Sequence, residues 1–311
     1  MATPKLVPLH PHVRRYLEKE YGLVTDSNTR YPMEELVELV SRHARKIANE
    51  AMDGIFGGEN FGIPWTGPPF CMERLASFLG HIVVRDKPPL SEEAELHPNP
   101  ESPGHYLIYC NPALPTTRQN FGIAHELGHT VIPPYDFRAR KREAVYNDEA
   151  YSVLEALCNV AASELLLPFG AFQRELARHK SLDIESWSRI AELFDASREA
   201  VALRAVRLSS EPLAFVRFSH KLKPSEMKKP LGKQKKLRVD YCRQSNSFDH
   251  YFPPHKSVFD DCPLNAVYKD EKPYSGDFSF AFRAGELRFN VSAVFQQLPN
   301  DDGNVLALVR P

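Results

Sequence analysis

Residues 118–131 read RQNFGIAHELGHTV, and this stretch decides the reading of the chain. Successive residues of an α-helix are turned by about 100°, so residues four apart lie about 40° apart on its surface. His125 and His129 therefore project from one face, one turn apart, and two imidazoles so placed can hold one metal ion. Glu126 lies beside them, where a carboxylate can polarise a metal-bound water. Two neutral imidazoles with one carboxylate suit catalytic zinc, which keeps a coordination position open for water. The opposite face reads as apolar, through Phe121, Ala124, Leu127, Gly128 and Val131, so one side of the helix is expected to be buried. Glycine inside a helix costs about 1 kcal/mol relative to alanine, and a close neighbour at Gly128 accounts for its presence. Thr116 and Gln119 have the spacing of a capping box at the start of this helix. Pro133-Pro134 ends it.

Catalytic zinc needs a third protein ligand. A second helix, expected from about Asp148 to Leu167 and stopped by Pro168, offers Glu149, Glu155 and Glu164. Glu155 and Glu164 lie about 180° apart around that helix, so they cannot share a face. Glu155 shares its face with Tyr151, Cys158, Asn159 and Ala162, mostly small residues that let two helices approach. Glu155 is the expected third ligand. Glu164, the alternative, is read as a charge facing solvent. Tyr146 and Tyr151 flank the start of this helix and are read as packing residues rather than oxyanion donors.

Outward from these two helices, a helical pattern runs from Met33 to Ile55 through Leu36, Leu39, Val40, Ala44 and Ile47. Residues 1–30 show no clear element, and a short helix is expected over Cys71 to Leu79. Strands are expected at His81–Arg85 and His105–Cys110, with the Pro- and Glu-rich stretch between Lys87 and Gly104 read as a loop. Two short helices, Ile184–Phe194 and Ser197–Leu208, have helix-turn-helix spacing. Arg198, Arg204 and Arg207 are placed to meet phosphate, but Trp187, Ile190, Ala191 and Phe194 favour a packed structural subdomain. Beyond Glu211, β-type runs dominate: LAFVRF, LRVDY, ELRFNVSAVF and VLALVR. The expected fold class is α+β, ending in a small antiparallel sheet. The expected divisions are an N-terminal segment 1–30, a metallopeptidase domain 31–175, a helical segment 176–210 and a C-terminal sensor-like domain 211–311.

The chain has 311 residues, 42% hydrophobic and 25% charged, an ordinary globular balance. Its 39 basic and 40 acidic residues nearly cancel, so no global charge argues for nucleic acid or membrane as a partner. The five cysteines form no CxxC pair, and an odd number in a long chain argues against a disulfide framework. No signal-peptide core and no apolar run of about 18 residues is present, so a reduced, cytoplasmic protein without a membrane partner is expected. One local departure from neutrality is the run of lysines from Lys221 to Arg238, opposed only by Glu226. With Tyr241, Phe248, Tyr251 and Phe252 nearby to stack on unpaired bases, this run is a candidate site for single-stranded DNA or another damage signal. The alternative is a solvated loop.

RQNFGIAHELGH followed by EALCNVAASELLLP resembles the ImmA/IrrE family of bacterial regulatory metallopeptidases, over about Asn111 to Pro168 and more weakly as far as Leu208. The resemblance implies a zincin-like fold, Zn²⁺ held by His125, His129 and Glu155, and Glu126 as general base. Ala161 stands where the family usually has an aromatic. The resemblance also implies a helix-turn-helix transcriptional repressor as substrate, cleaved to derepress stress or phage-defence genes. The layout is similar to IrrE-like members, which carry a GAF-like C-terminal domain, and to CapP-like members of CBASS operons. In zinc peptidases of this type an edge strand borders the cleft, so Cys110, at the end of a strand just before the metal-binding helix, is a candidate inhibitory fourth ligand. The competing reading is a non-proteolytic, zinc-containing DNA-binding or sensor protein. An intact Glu126 argues against it, because structural zinc has no use for a base.

Overall fold

A computed structural model describes residues 4–56, 68–85, 93–132, 148–179, 181–227, 234–282, 285–297 and 303–311. The chain divides into two units, Met1–Glu175 with Glu192–Ser197, and Leu176–Ala191 with Arg198–Pro311.

In the first unit, β1 (Leu6–Pro8) pairs antiparallel with β2 (Arg30–Pro32) across α1 (Pro11–Tyr21). Residues 4–30 are thus shaped by local signals. Pro11 opens α1, the His10 imidazole accepts the His12 N–H, and Gly22 closes the helix in a left-handed conformation at φ 65°. The long helix α2 (Met33–Phe56) buries Leu36, Val40, Ala44, Ala48 and Ala51 along one stripe. After α3 (Met72–Phe78) comes a three-stranded sheet of β3 (Ile82–Val84), β4 (Ala94–Pro98) and β5 (Tyr106–Cys110), in the order β3-β5-β4. β3 is parallel to β5, and β4 antiparallel. β4 falls where a loop is expected. Only Ala94 and Leu96 of it turn inward, too few alternations to separate a short edge strand from a loop.

Two further helices complete the part of this unit that carries the motifs: α4 (Thr116–Val131), against β4 and β5, and α5 (Asp148–Leu166), against α4 and α2. A methyl on Gly122 would stand 3.2 Å from the Ala94 Cβ, so the bare glycine lets β4 lie close on α4. The expected capping box is not formed. Pro115 is the N-cap, and its carbonyl accepts the N–H groups of Arg118 and Gln119 at 2.9 and 3.0 Å. Gln119 is buried and turns its amide onto the Leu114 carbonyl at 2.6 Å, with Arg85 donating to its oxygen. A short helix, α6 (Phe169–Ala177), follows Pro168.

The second unit contains most of α7 (Ile184–Leu193) and all of α8 (Arg198–Leu208). Its antiparallel sheet comprises β6 (Ala214–Lys221), β7 (Lys236–Gln244), β8 (Tyr274–Phe282), β9 (Gly285–Gln296) and β10 (Asn304–Arg310), ordered β7-β6-β10-β9-β8. Every second residue faces one core: Val216 and Phe218 from β6, Phe278 and Phe280 from β8, Val291 and Ala293 from β9, Val305 and Ala307 from β10. Phe248, Phe252, and Leu264 and Val267 of α10 (Pro263–Asp270) close it. A one-turn helix, α9 (Pro224–Met227), lies between β6 and β7. β8 is absent from the expected strands because its first half, Tyr-Ser-Gly-Asp, carries no apolar alternation.

Trp187 and Ile190 of α7 are fully buried, and Trp187 Nε1 donates to the Arg198 carbonyl at 2.6 Å. Arg204 is 0% exposed, and Arg198 donates to Ser188 Oγ. Neither is therefore an open phosphate contact. Among the described residues all five cysteines are free, and no single helix is long and apolar enough to cross a membrane.

Candidate metal centre

α4 and α5 meet along small residues. A methyl on Gly128 would collide with the backbone of Cys158, which explains the glycine in the helix interior. At this close crossing His125, His129 and Glu155 come together. One ligand atom from each lies within 4.8 Å of the others. His125 Nε2 is 3.1 Å from Glu155 Oε2, and His129 Nε2 is 3.6 Å from Glu155 Oε1. Donors about 2.0 Å from a tetrahedral zinc stand roughly 3.3 Å apart, so these separations bracket what the ion requires. Glu155 Oε1 is buried and has no hydrogen-bond donor among the described residues. A cation held by the trio satisfies it. The two-nitrogen, one-carboxylate donor set fits zinc.

The other edges of both rings are held from α5. His125 Nδ1 lies 3.0 Å from Asn159 Oδ1, and His129 Nδ1 lies 3.2 Å from Cys158 Sγ. A proton on each Nδ1 donates outward to these partners and leaves Nε2 as the metal-facing lone pair. On helical spacing alone, Cys158 and Asn159 read only as small packing residues. The signal that finds them is their position three and four residues after Glu155, on its face. Tyr151 also acts on the centre by hydrogen bonding Glu155.

Burial works against charge on both partners, and local contacts outweigh it. Burial favours neutral His125, but the Glu155 hydrogen bond and the charges of Glu126 and Glu155 raise its pKa above the usual imidazole value. Burial likewise favours protonated Glu155, but the His125 hydrogen bond and the charges of His129 and His125 hold its carboxyl down at about 2. Glu155 is therefore ionised, as a metal ligand must be. Glu126 is 3% exposed.

The family model described as the IrrE N-terminal-like domain (Peptidase_M78) matches residues 80–206, which contain this centre. Residues 80–206 are thus similar to the IrrE N-terminal-like domain family. Two similar curated proteins are both named radiation response metalloprotease IrrE. The one from Deinococcus deserti is 24% identical over 184 residues, 59% of this chain and 64% of that protein. The one from Deinococcus radiodurans is 37% identical over 67 residues, 21% of this chain and 20% of that protein. The chain thus covers less than two thirds of either relative. A solved structure named Mycobacterium tuberculosis transcriptional regulator aligns with a TM-score of 0.51 at 15% identity, over 96% of this chain and 79% of that chain. This likeness is one of fold.

Within the matched region, three residues lie elsewhere than expected. Cys110 does not join the trio. It ends β5, the central strand of the sheet rather than an edge, and its sulfur lies 3.9 Å from the carbonyl and side-chain oxygens of Gln119. Gln119 precedes His125 by six residues, a rise of about 9 Å along the helix, so the thiol sits beside the start of α4. Burial raises its pKa. Glu164 does not face solvent. It is 0% exposed and bound by Arg45 of α2 through two contacts of 3.0 and 3.1 Å. Phe121 lies on the histidine side of α4, its ring centroid 6.4 Å from that of His125, as a four-residue spacing dictates. Tyr146, with Pro133 and Pro134, lies outside the described residues.

In the second unit, three cations of the basic run from Lys221 to Arg238 are held in ion pairs. Lys228, Lys229 and Lys233 lie outside the described residues. Lys221 binds Asp240, Lys236 binds Asp260, and Arg238, 3% exposed, binds Glu226. Phe248 and Phe252 belong to the core, and Tyr241 donates to Glu199. Of the aromatics proposed to stack on bases, only Tyr251, at 56% exposure, is open to solvent.

Proposed function

We propose that this chain is a zinc-dependent regulatory endopeptidase whose substrate is a helix-turn-helix transcriptional repressor and whose cleavage derepresses stress or defence genes. The observation that carries the reading is the convergence of His125, His129 and Glu155 from two helices, with Glu126 buried next to them. In this reading the three residues hold zinc, which when bound supplies Lewis acidity and lowers the pKa of water. Glu126 takes the proton from the attacking water on its carboxylate and delivers it to the leaving amine. Cys158 and Asn159 keep the two imidazoles in the tautomer that faces the ion. The name of the Deinococcus relatives, radiation response metalloprotease, supports both the chemistry and a regulatory role. We read residues 31–175 as the zincin-like peptidase and 176–210 as a helix-turn-helix-like structural segment. Residues 211–311, with their five-stranded sheet and α10, we read as a GAF-like sensor module.

The test pairs purified protein with the repressor encoded beside its gene. Zinc should be present at about one per chain, and cleavage should stop with a chelator. Glu126→Gln should keep zinc and fold but lose cleavage and, in cells, induction of the target genes. Normal induction by Glu126→Gln would replace the peptidase reading with that of a non-proteolytic regulator.

A further inference from the structure

The second unit contains a concavity of about 380 Å³ where β6 ends, lined from β6, α9, the start of β7, the loop around His255 and the start of β10. Its size falls in the range of small-molecule sites. Its lining carries two lysines, Lys221 and Lys235, and two histidines, His220 and His255, with no carboxylate among the described lining residues. Leu222 and Met227 supply an apolar wall, and Met227 is 66% exposed. The His220 ring is already ordered by stacking on Tyr268, with centroids 5.0 Å apart.

This concavity has a buried frame. Arg238 is 3% exposed, and its guanidinium ties together three separate pieces of chain. It donates to the Lys221 carbonyl at 3.0 Å, to the His255 carbonyl at 3.2 Å and to the Glu226 carboxylate at 3.1 Å. His255 is held with φ at 65°, a left-handed conformation that non-glycine residues rarely adopt. Burial, and after it the charges of Arg217 and Arg238, push the Lys221 ammonium below its usual pKa. Lys221 is also paired with Asp240, so an anion bound here would share its ammonium with that carboxylate. Lysines act as point charges toward phosphate, and the adjoining ring and apolar wall suit a flat organic body.

We propose that this concavity binds a small phosphate-bearing molecule of mononucleotide size. The site accommodates one nucleotide and offers no row of exposed aromatics along which a strand could stack. The proposal is independent of the peptidase reading.

The test titrates the full chain with 5′-AMP and with inorganic phosphate, by calorimetry and by amide chemical shifts. AMP should bind saturably at one site, and phosphate more weakly at the same amides. Lys235→Ala should weaken AMP binding at least tenfold. Lys221→Ala should do the same, with its fold checked by circular dichroism because Lys221 also binds Asp240. Lys272→Ala, an exposed lysine next to the opposite edge strand β8, should change nothing. Three results overturn the proposal: no saturable binding of either probe to the folded wild type, unchanged AMP affinity in Lys235→Ala, or oligothymidylate binding that AMP does not compete away.

Discussion

Gly128 and Cys158 touch across the two helices of the metal centre: a methyl carbon on Gly128 would stand 2.7 Å from the Cys158 carbonyl oxygen and 3.2 Å from its Cα. The obstacle is backbone, so no side-chain rotation relieves it. In Gly128→Ala the two helices must separate, and with them the 3.1 and 3.6 Å spacings of Glu155 from the two imidazoles. Alanine improves helix propensity by about 1 kcal/mol, but overpacking costs about 1–3 kcal/mol. The variant is expected to be less stable by about 1 kcal/mol and to hold zinc at least tenfold more weakly. Denaturant unfolding and chelator competition measure the two effects. A stabilised variant with unchanged zinc affinity would show that the contact does not set the geometry of the centre.

Asn159 and Cys158 reach the outer nitrogens of His125 and His129 at 3.0 and 3.2 Å. Loss of such an orienting partner typically costs 10–100-fold in metal affinity. Asn159→Ala and Cys158→Ala are each expected to lose zinc affinity in that range while remaining folded, with nitrogen shifts reporting imidazoles no longer fixed in one tautomer. Affinity and tautomer unchanged in both variants would reduce the two residues to packing.

The parts of this centre that could be read from sequence depend on angle alone. Spacing puts His125 and His129 on one face and Glu155 among small residues, and these side chains meet in the structure. Angle says nothing about what lies on the far side of a helix. Glu164 faces away from the histidines, yet Arg45, 119 residues earlier, is waiting there. Alternation along β5 turns Cys110 and Ile108 inward together, but depth along α4 decides that the sulfur reaches Gln119. Composition also cannot tell a core aromatic from a stacking one, as Phe248 and Phe252 show. The long amphipathic helices and apolar strands were legible, whereas β4 and the first half of β8, with few inward residues, were not.

Glu164 and Glu155 lie on one helix and should fail in opposite ways. Glu164→Gln leaves Arg45 without its charged partner in a site where the carboxylate is fully buried. Breaking a buried pair by removing one partner costs about 3–5 kcal/mol, and the 26% exposure of Arg45 places this case at the low end, about 3 kcal/mol. Zinc content should stay near one per chain. Glu155→Gln should keep most of the stability of the metal-free protein and lose zinc. Zinc loss in Glu164→Gln without loss of stability would move the third ligand to Glu164.

His81 gives the first unit an acid-sensitive point away from the metal. Its ring is 7% exposed, and its Nδ1 accepts the Tyr106 backbone N–H at 3.3 Å, which requires the neutral form. Burial, and after it the nearby His105, lower its pKa to about 4. An unfolded histidine titrates near 6.5. Above that pH both states are neutral and His81 adds no pH dependence. Between about 6.5 and 4 the unfolded chain takes up a proton that the folded chain refuses, so stability falls as pH falls; below about 4 the loss is complete. From the size of the shift, the loss reaches roughly 2 kcal/mol at pH 5. His81→Asn removes the titration and retains an acceptor for Tyr106. The difference in unfolding free energy between wild type and His81→Asn, measured in urea at pH 7.5 and at pH 5, cancels the other titrating groups. It should move by about that amount in favour of the variant at the lower pH. A difference independent of pH would mean that His81 is protonated as readily in the folded protein as in the unfolded chain.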